Sequence, residues 1–206
     1  MNTPISNTDS PETGRHRFDD ILVSLGLDPK VRTDLHRYSH CRAFPRKTAL
    51  LRAGEHWTRL WYLDRGLIRL CYTDAEGREF NKAFFGEGDC IWPVAPRDRQ
   101  QPVRFSIFAL EDTRVIEYPF QLLHDLLNQV GCWARFALPF AEALVEQKFR
   151  REHDFLLLSV AERYRQFIRE RPELIGRIPD YHLASFMGVT NVTLSRIKQA
   201  VDFNKR

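Results

Sequence analysis

No run of apolar residues in this 206-residue chain approaches the ~20 needed to span a bilayer. The first residues, MNTPISNTDSPETGR, are polar and offer none of the apolar segment that a secretory leader requires. These two absences lead to the expectation of a cytoplasmic protein with no membrane partner. Cysteine is scarce. Cys41, Cys71, Cys90 and Cys132 stand far apart without a CxxC pair, which favours reduced, packed thiols over disulfides or a zinc site. Enzyme signatures are missing as well: no His-x-His of a cupin metal centre, no Gly-x-Ser-x-Gly elbow, no phosphate-binding glycine loop and no His-Glu-x-x-His helix. Acid pairs such as Asp19-Asp20 and Glu111-Asp112 fall at turns or helix starts, where solvated charge accounts for them. The expectation is a non-enzyme without cofactor or metal; a cupin-like barrel enzyme is the competing reading.

What is present begins with charge placement. Net charge is only +4, yet residues 159–206 hold nine Lys+Arg against five Asp+Glu, while the preceding residues carry 22 of each. The surplus sits where phosphate contact would use it. Residues 1–17, rich in Ser, Thr, Asn and Pro, read as a disordered tail. Two helical segments follow, Phe18–Gly26 and Pro29–His40. Short aromatic and branched runs then alternate with turn signals: Trp57–Leu63, Leu67–Thr73, Phe80–Phe85, Arg104–Ala109 and Thr113–Tyr118. That spacing predicts an antiparallel β-roll or jelly-roll barrel over residues 18–120.

From residue 121 the period is helical. Trp133, Phe136, Phe140, Leu144 and Gln147 form a stripe that predicts a dimerisation helix over 121–158, with Pro139 either kinking it or marking where two helices meet. Ser159-Val160-Ala161-Glu162 is a capping box, and Val160, Tyr164, Phe167 and Ile168 share a face of the helix it opens. Ile178–Gln199 then reads as two short helices around a tight turn. Asp180 is the expected N-cap of the first, Gly188 ends it, and Thr190 caps the second. Ala184 suits a close helix crossing, and Leu194, Ile197 and Val201 point inward. This is the pattern of a helix-turn-helix, predicting a DNA-binding domain over 159–206 with minimal or no β wing; an ordinary helical hairpin is the alternative.

On the second helix, Val192, Ser195, Arg196 and Gln199 lie opposite the inward face, flanked by Asn191 and Thr193. Arg196 is the best base reader, since a guanidinium can bond guanine O6 and N7 together. Valine at 192 can lie against a thymine methyl but cannot accept a hydrogen bond from cytosine. Thr190, Tyr181, His182 and Lys198 are candidate phosphate contacts.

The order of these parts resembles the Crp/Fnr family of bacterial transcription regulators from about residue 18 onward. The phrases that carry the resemblance are Tyr62–Arg69, Phe84–Asp89, Ala109–Thr113, Leu156–Ile168 and Ile178–Lys198. It implies an α+β chain with a cyclic-nucleotide-binding-like sensory barrel, a homodimer, a palindromic double-stranded DNA operator and, for an activator, RNA polymerase as partner. One segment departs from the family. Where cyclic-nucleotide binders place Gly-Glu-Leu and a later Arg-Ser or Arg-Thr, this chain has Cys90–Pro96, whose two prolines remove amide donors. Cyclic AMP is therefore not expected, and an unknown small-molecule effector is placed near Phe85, Glu87, Trp92, Arg97 and Arg104. No cysteine precedes Cys41, which excludes an N-terminal iron–sulfur cluster. His36, His40 and His56 read as ordinary surface or core histidines rather than haem or metal ligands. A sensing barrel that acts only through protein partners is a further alternative.

Overall fold

The computed structural model describes residues 11–203. Two helices, α1 (Pro11–Ser24) and α2 (Pro29–Arg37), precede eight strands, β1 (His40–Phe44), β2 (Ala49–Leu51), β3 (Arg59–Arg65), β4 (Ile68–Thr73), β5 (Glu79–Phe85), β6 (Cys90–Ile91), β7 (Ser106–Ala109) and β8 (Thr113–Pro119), with a short helix α3 (Pro96–Gln100) between β6 and β7. The strands form two four-stranded antiparallel sheets, ordered β1-β8-β3-β6 and β2-β7-β4-β5. All five expected strands are present, and the fold is the expected α+β one. The turn signals do not reveal β1, β2 and β6: β2 and β6 are too short to show an alternating pattern, and β1 buries only Phe44. The expected tail is corrected from residue 11 on: the chain there is helical, because Phe18 and Leu22, one turn apart, are fully buried. Phe18 packs 4.6 Å from the ring of Tyr118. Residues 1–10 lie outside the described residues.

The barrel interior is filled by its own side chains, among them Phe44, Trp57, Trp61, Leu63, Phe105 and Ile107. A second cluster joins α1, α2 and the following helices to the outer face of one sheet. The predicted single helix over 121–158 is two: α4 (Phe120–Gln129) and α5 (Trp133–Leu157). The break is not at Pro139, which lies inside α5. It falls at Gly131, whose φ of +69° suits a left-handed cap. Gly131 N donates to Asn128 O at 3.0 Å and Cys132 N to Leu127 O at 2.7 Å, the paired bonds of a Schellman ending. Helix α6 (Val160–Glu170) opens on the expected capping box: Glu162 N donates to Ser159 Oγ at 3.3 Å, and Ser159 N to the Glu162 carboxylate at 2.8 Å. A 3-10 turn, Pro172–Leu174, leads to α7 (Asp180–Met187) and α8 (Asn191–Phe203). Among the described residues no strand follows β8, so a β wing is absent there.

Candidate nucleic-acid interface

Helices α7 and α8 meet around Leu183, Ala184, Met187, Leu194 and Val201, all buried, in one cluster with Tyr164 of α6 and Leu174. Gly188 takes φ +72° and ψ 32°, and Val189 N reaches back to Ala184 O at 3.0 Å, so the chain reverses within a few residues. Thr190 caps α8, accepting from Thr193 N at 3.2 Å. Asp180 does not cap α7. Pro179 holds that position, and the Asp180 carboxylate instead takes Lys198 Nζ at 2.5 Å, tying α7 to α8. Lys198, expected as a phosphate contact, is thus half-buried and paired in this arrangement.

The outward face of α8 carries Asn191, Val192, Thr193, Ser195, Arg196 and Gln199, every one exposed. Val192 is 61% exposed, a high value for an apolar side chain in a folded domain. Arg196 makes no hydrogen bond or ion pair to any described residue. Thr190 is exposed beside them, and Tyr181 is 55% exposed at the start of α7.

His182 is the correction. It is only 5% exposed, on the face of α7 that meets the barrel. Asn81 on β5 donates from Nδ2 to His182 O and to His182 Nδ1, each at 3.2 Å. An amide nitrogen can only donate, so Nδ1 must be unprotonated. Burial, with nearby Arg69 adding to it, lowers the imidazole to about 4. A neutral, covered histidine cannot serve as a phosphate contact in this arrangement.

The same face holds the helix pair to the barrel. Ser185 Oγ accepts from Asn81 N at 3.0 Å and donates to Glu79 O at 3.1 Å. Leu67, Phe84 and Leu110 of the barrel pack into the core of the helical domain, with Phe84 and Phe186 rings 5.3 Å apart. Arg177, just before α7, bonds Glu111 at 2.7 Å, Glu87 at 2.8 Å and Gly66 O at 3.1 Å. Burial raises the Glu87 carboxyl, but hydrogen bonds from Arg177 and from backbone amides outweigh it and bring the group down to about 2. From the other side, Arg151 of α5 and Arg163 of α6 donate to Phe186 O and Met187 O, the carbonyl end of α7. Arg177, Asn81 and Ser185 went unremarked in the sequence. The acids facing Arg177 were visible at two turns, but Glu111, read there as solvated charge, is an ion-pair partner instead.

The residues expected around an effector do not converge. Trp92 is buried among Phe120, Trp133, Phe136 and Phe140, outside the barrel interior. Glu87 is engaged by Arg177, Phe85 packs at the edge of the interior cluster, Arg97 bonds Pro102 O at 3.4 Å, and Arg104 is exposed. Arg99 folds the Cys90–Pro96 segment shut, donating to Pro93 O and Val94 O at 2.8 Å and lying 5.4 Å over Trp92 and Trp133.

The expected dimer stripe is corrected in the same way: Trp133, Phe136 and Phe140 belong to that intramolecular aromatic cluster, where Trp92 wedges between barrel and helix. Leu144 is half-buried and Gln147 exposed. The large apolar residues α5 leaves open are Leu138, Val145, Phe149, Phe155, Leu156 and Leu157, of which Leu138, Val145, Phe149 and Leu156 are spaced by seven, four and seven. His36 is held by Tyr118 Oη and Asp19, both at 2.9 Å, and no group of three or more metal-ligating side chains occurs among the described residues. No described helix is long and apolar enough to cross a membrane.

Comparison with known proteins agrees with this anatomy. Residues 41–130 match the cyclic nucleotide-binding domain family. No curated protein sequence matches the chain significantly. Among solved structures, a protein described as a transcriptional regulator of the Crp/Fnr family from Eubacterium rectale shares 14% identity at a TM-score of 0.69, covering 88% of this chain and 87% of its own. FixK2 from Bradyrhizobium japonicum shares 17% at 0.68, covering 81% and 86%. The c-di-GMP-responsive global regulator CLP of Xanthomonas campestris shares 16% at 0.64, covering 86% and 93%.

Proposed function

We propose that this chain is a sequence-specific DNA-binding transcription regulator that acts as a homodimer; the match of residues 41–130 to the cyclic nucleotide-binding domain family and a fold shared over most of the chain with Crp/Fnr-type regulators support the reading. The observation that carries this reading is the outward face of α8. Val192, Ser195, Arg196 and Gln199 are exposed together on a helix whose opposite side is locked in the core, and Arg196 is uncommitted. A helix so presented fits the major groove, with Arg196 reading guanine and Val192 meeting a thymine methyl. Ser195, Gln199, Asn191 and Thr193 are further groove contacts, while Thr190 and Tyr181 sit where phosphates pass.

The second half of the operator requires a second copy. The open stripe Leu138, Val145, Phe149 and Leu156 on α5 has the spacing of a two-helix seam, so paired α5 helices are the proposed dimer contact. A two-fold dimer reads a palindrome. The proline-bearing Cys90–Pro96 segment, folded shut by Arg99, argues against cyclic AMP as the signal.

Selection of genomic fragments bound by the purified protein, with and without small-molecule extract, tests the reading. The expected product is an inverted repeat. In the same assay Arg196→Ala should cost about 1–3 kcal/mol of operator discrimination and leave the dimer folded. Recovery of no preferred sequence by the wild-type protein would sink the proposal.

A further inference from the structure

Between the rim of the barrel and the start of α7 lies a cleft of about 240 Å³, whose walls include Arg46, Lys47, Arg69 and Glu79 from the barrel and Tyr181 and His182 from α7. Its charges do not cancel. Glu79 is taken by Arg69 at 2.6 Å, and Arg69 also donates to Asn81 Oδ1 at 3.2 Å while lying 4.8 Å over the Phe108 ring. His182 is neutral. Arg46 and Lys47 are left over, for neither side chain has a hydrogen bond or ion pair among the described residues.

The turn that carries these two cations is fixed, not loose. Lys47 N donates to Ala109 O at 2.8 Å, Ala109 N to Thr48 O at 2.9 Å, and Arg46 N to the Asp112 carboxylate at 2.8 Å. Lys47 is also the one non-glycine among the described residues with positive φ, 70°. A glycine would occupy that conformation without strain, so what lysine adds there is its ammonium group. Strain of this kind persists where the surroundings hold it, and it collects at ligand clamps.

Size and charge together define the occupant. At roughly 30 Å³ per water, the cleft has room for about eight water-sized units, the scale of a small organic phosphate. A phosphomonoester carries about −1.5 to −2 near neutral pH, and its oxygens match a guanidinium fork beside a lysine point charge. We propose that this cleft binds a small phosphomonoester, gripped by Arg46 and Lys47 and faced by Tyr181. Such a ligand touches the barrel and α7 at once, so its binding is linked to how the helix pair docks. Only that regulatory consequence rests on the DNA-reading function; the binding itself does not.

Titration calorimetry on the full chain tests it, with glycerol 3-phosphate and inorganic phosphate as probes and glycerol as the uncharged control. Saturable binding of the phosphate-bearing probes is expected, with glycerol silent. Lys47→Gly should melt no lower than wild type, since it relieves the turn, yet weaken binding at least tenfold; Arg46→Gln should weaken it similarly. Absence of saturable binding to wild type, or equal binding by the variants, overturns the proposal. So does a result in which the variants lose only DNA affinity with a shallower salt dependence, for the two cations then serve the DNA backbone. Because the calorimetry contains no DNA, a failure of operator binding leaves this outcome legible.

Discussion

Arginine does two kinds of work in the C-terminal third. Arg151, Arg163, Arg171 and Arg177 are all spent on carbonyls and carboxylates that hold the helices to their neighbours. Arg196 is spent on nothing; Arg169 of α6 is equally free, so it is freedom together with a place on the outward face of α8 that singles out Arg196 as the reader. His182 belongs with the first group. Its imidazole titrates near 4 in the folded chain against about 6.5 when unfolded. The unfolded chain therefore binds the extra proton first as pH falls, and stability should decline from about pH 6.5 to about pH 4 and then level off. His182→Gln should flatten that part of the curve while the rest of the acid limb remains. Thermal melts at half-unit pH steps check this; a wild-type curve unchanged by the substitution would place the decline elsewhere.

Among the elements, α6 shows most directly how a local phrase sets a boundary. Ser159 and Glu162 exchange bonds at its first turn, so Ser159→Ala should destabilise the chain by about 1 kcal/mol in denaturant unfolding, with no change in the midpoint's sharpness. That cap was legible in four consecutive letters, as were the two caps of the helix-turn-helix at Gly188 and Thr190. Five strands, β3, β4, β5, β7 and β8, were legible too, because the turns around them carry glycine and acid at regular intervals. Elements decided at a distance were not. The end of α4 depends on a glycine that a helical stripe passes over without a visible break, and β1 exists because β8, 69 to 77 residues later, supplies its register. Trp133, Phe136 and Phe140 of the expected stripe turn inward to the barrel joint, since periodicity shows that a face is covered without showing what covers it.

For the whole molecule, the helix pair is docked on the barrel rather than hung from it, through an apolar patch, the Asn81–Ser185 contacts and the ion pairs of Arg177. None of that was legible, because the partners stand as far as 111 residues apart. Arg177→Gln should raise hydrogen exchange across residues 178–203 and leave the barrel strands as slow as before; a uniform increase would mean that Arg177 supports the fold generally. On α5, Phe149→Glu places a charge in the open seam and should shift sedimentation from dimer to monomer at micromolar concentration. An unshifted dimer would move the contact off that stripe. The wedge of Trp92 against Trp133 has a spectroscopic consequence. Trp57 and Trp61 fill the barrel, Trp92 and Trp133 fill its joint with α5, and these are all four indoles of the chain. Emission excited selectively at tryptophan, and not at tyrosines such as Tyr164 and Tyr181 of the C-terminal helices, is thus an optical channel for the barrel and its joint alone. The reading helices can loosen in the dark, visible to far-ultraviolet dichroism but not to emission, and the gap between the two melting curves measures how independently the DNA end moves.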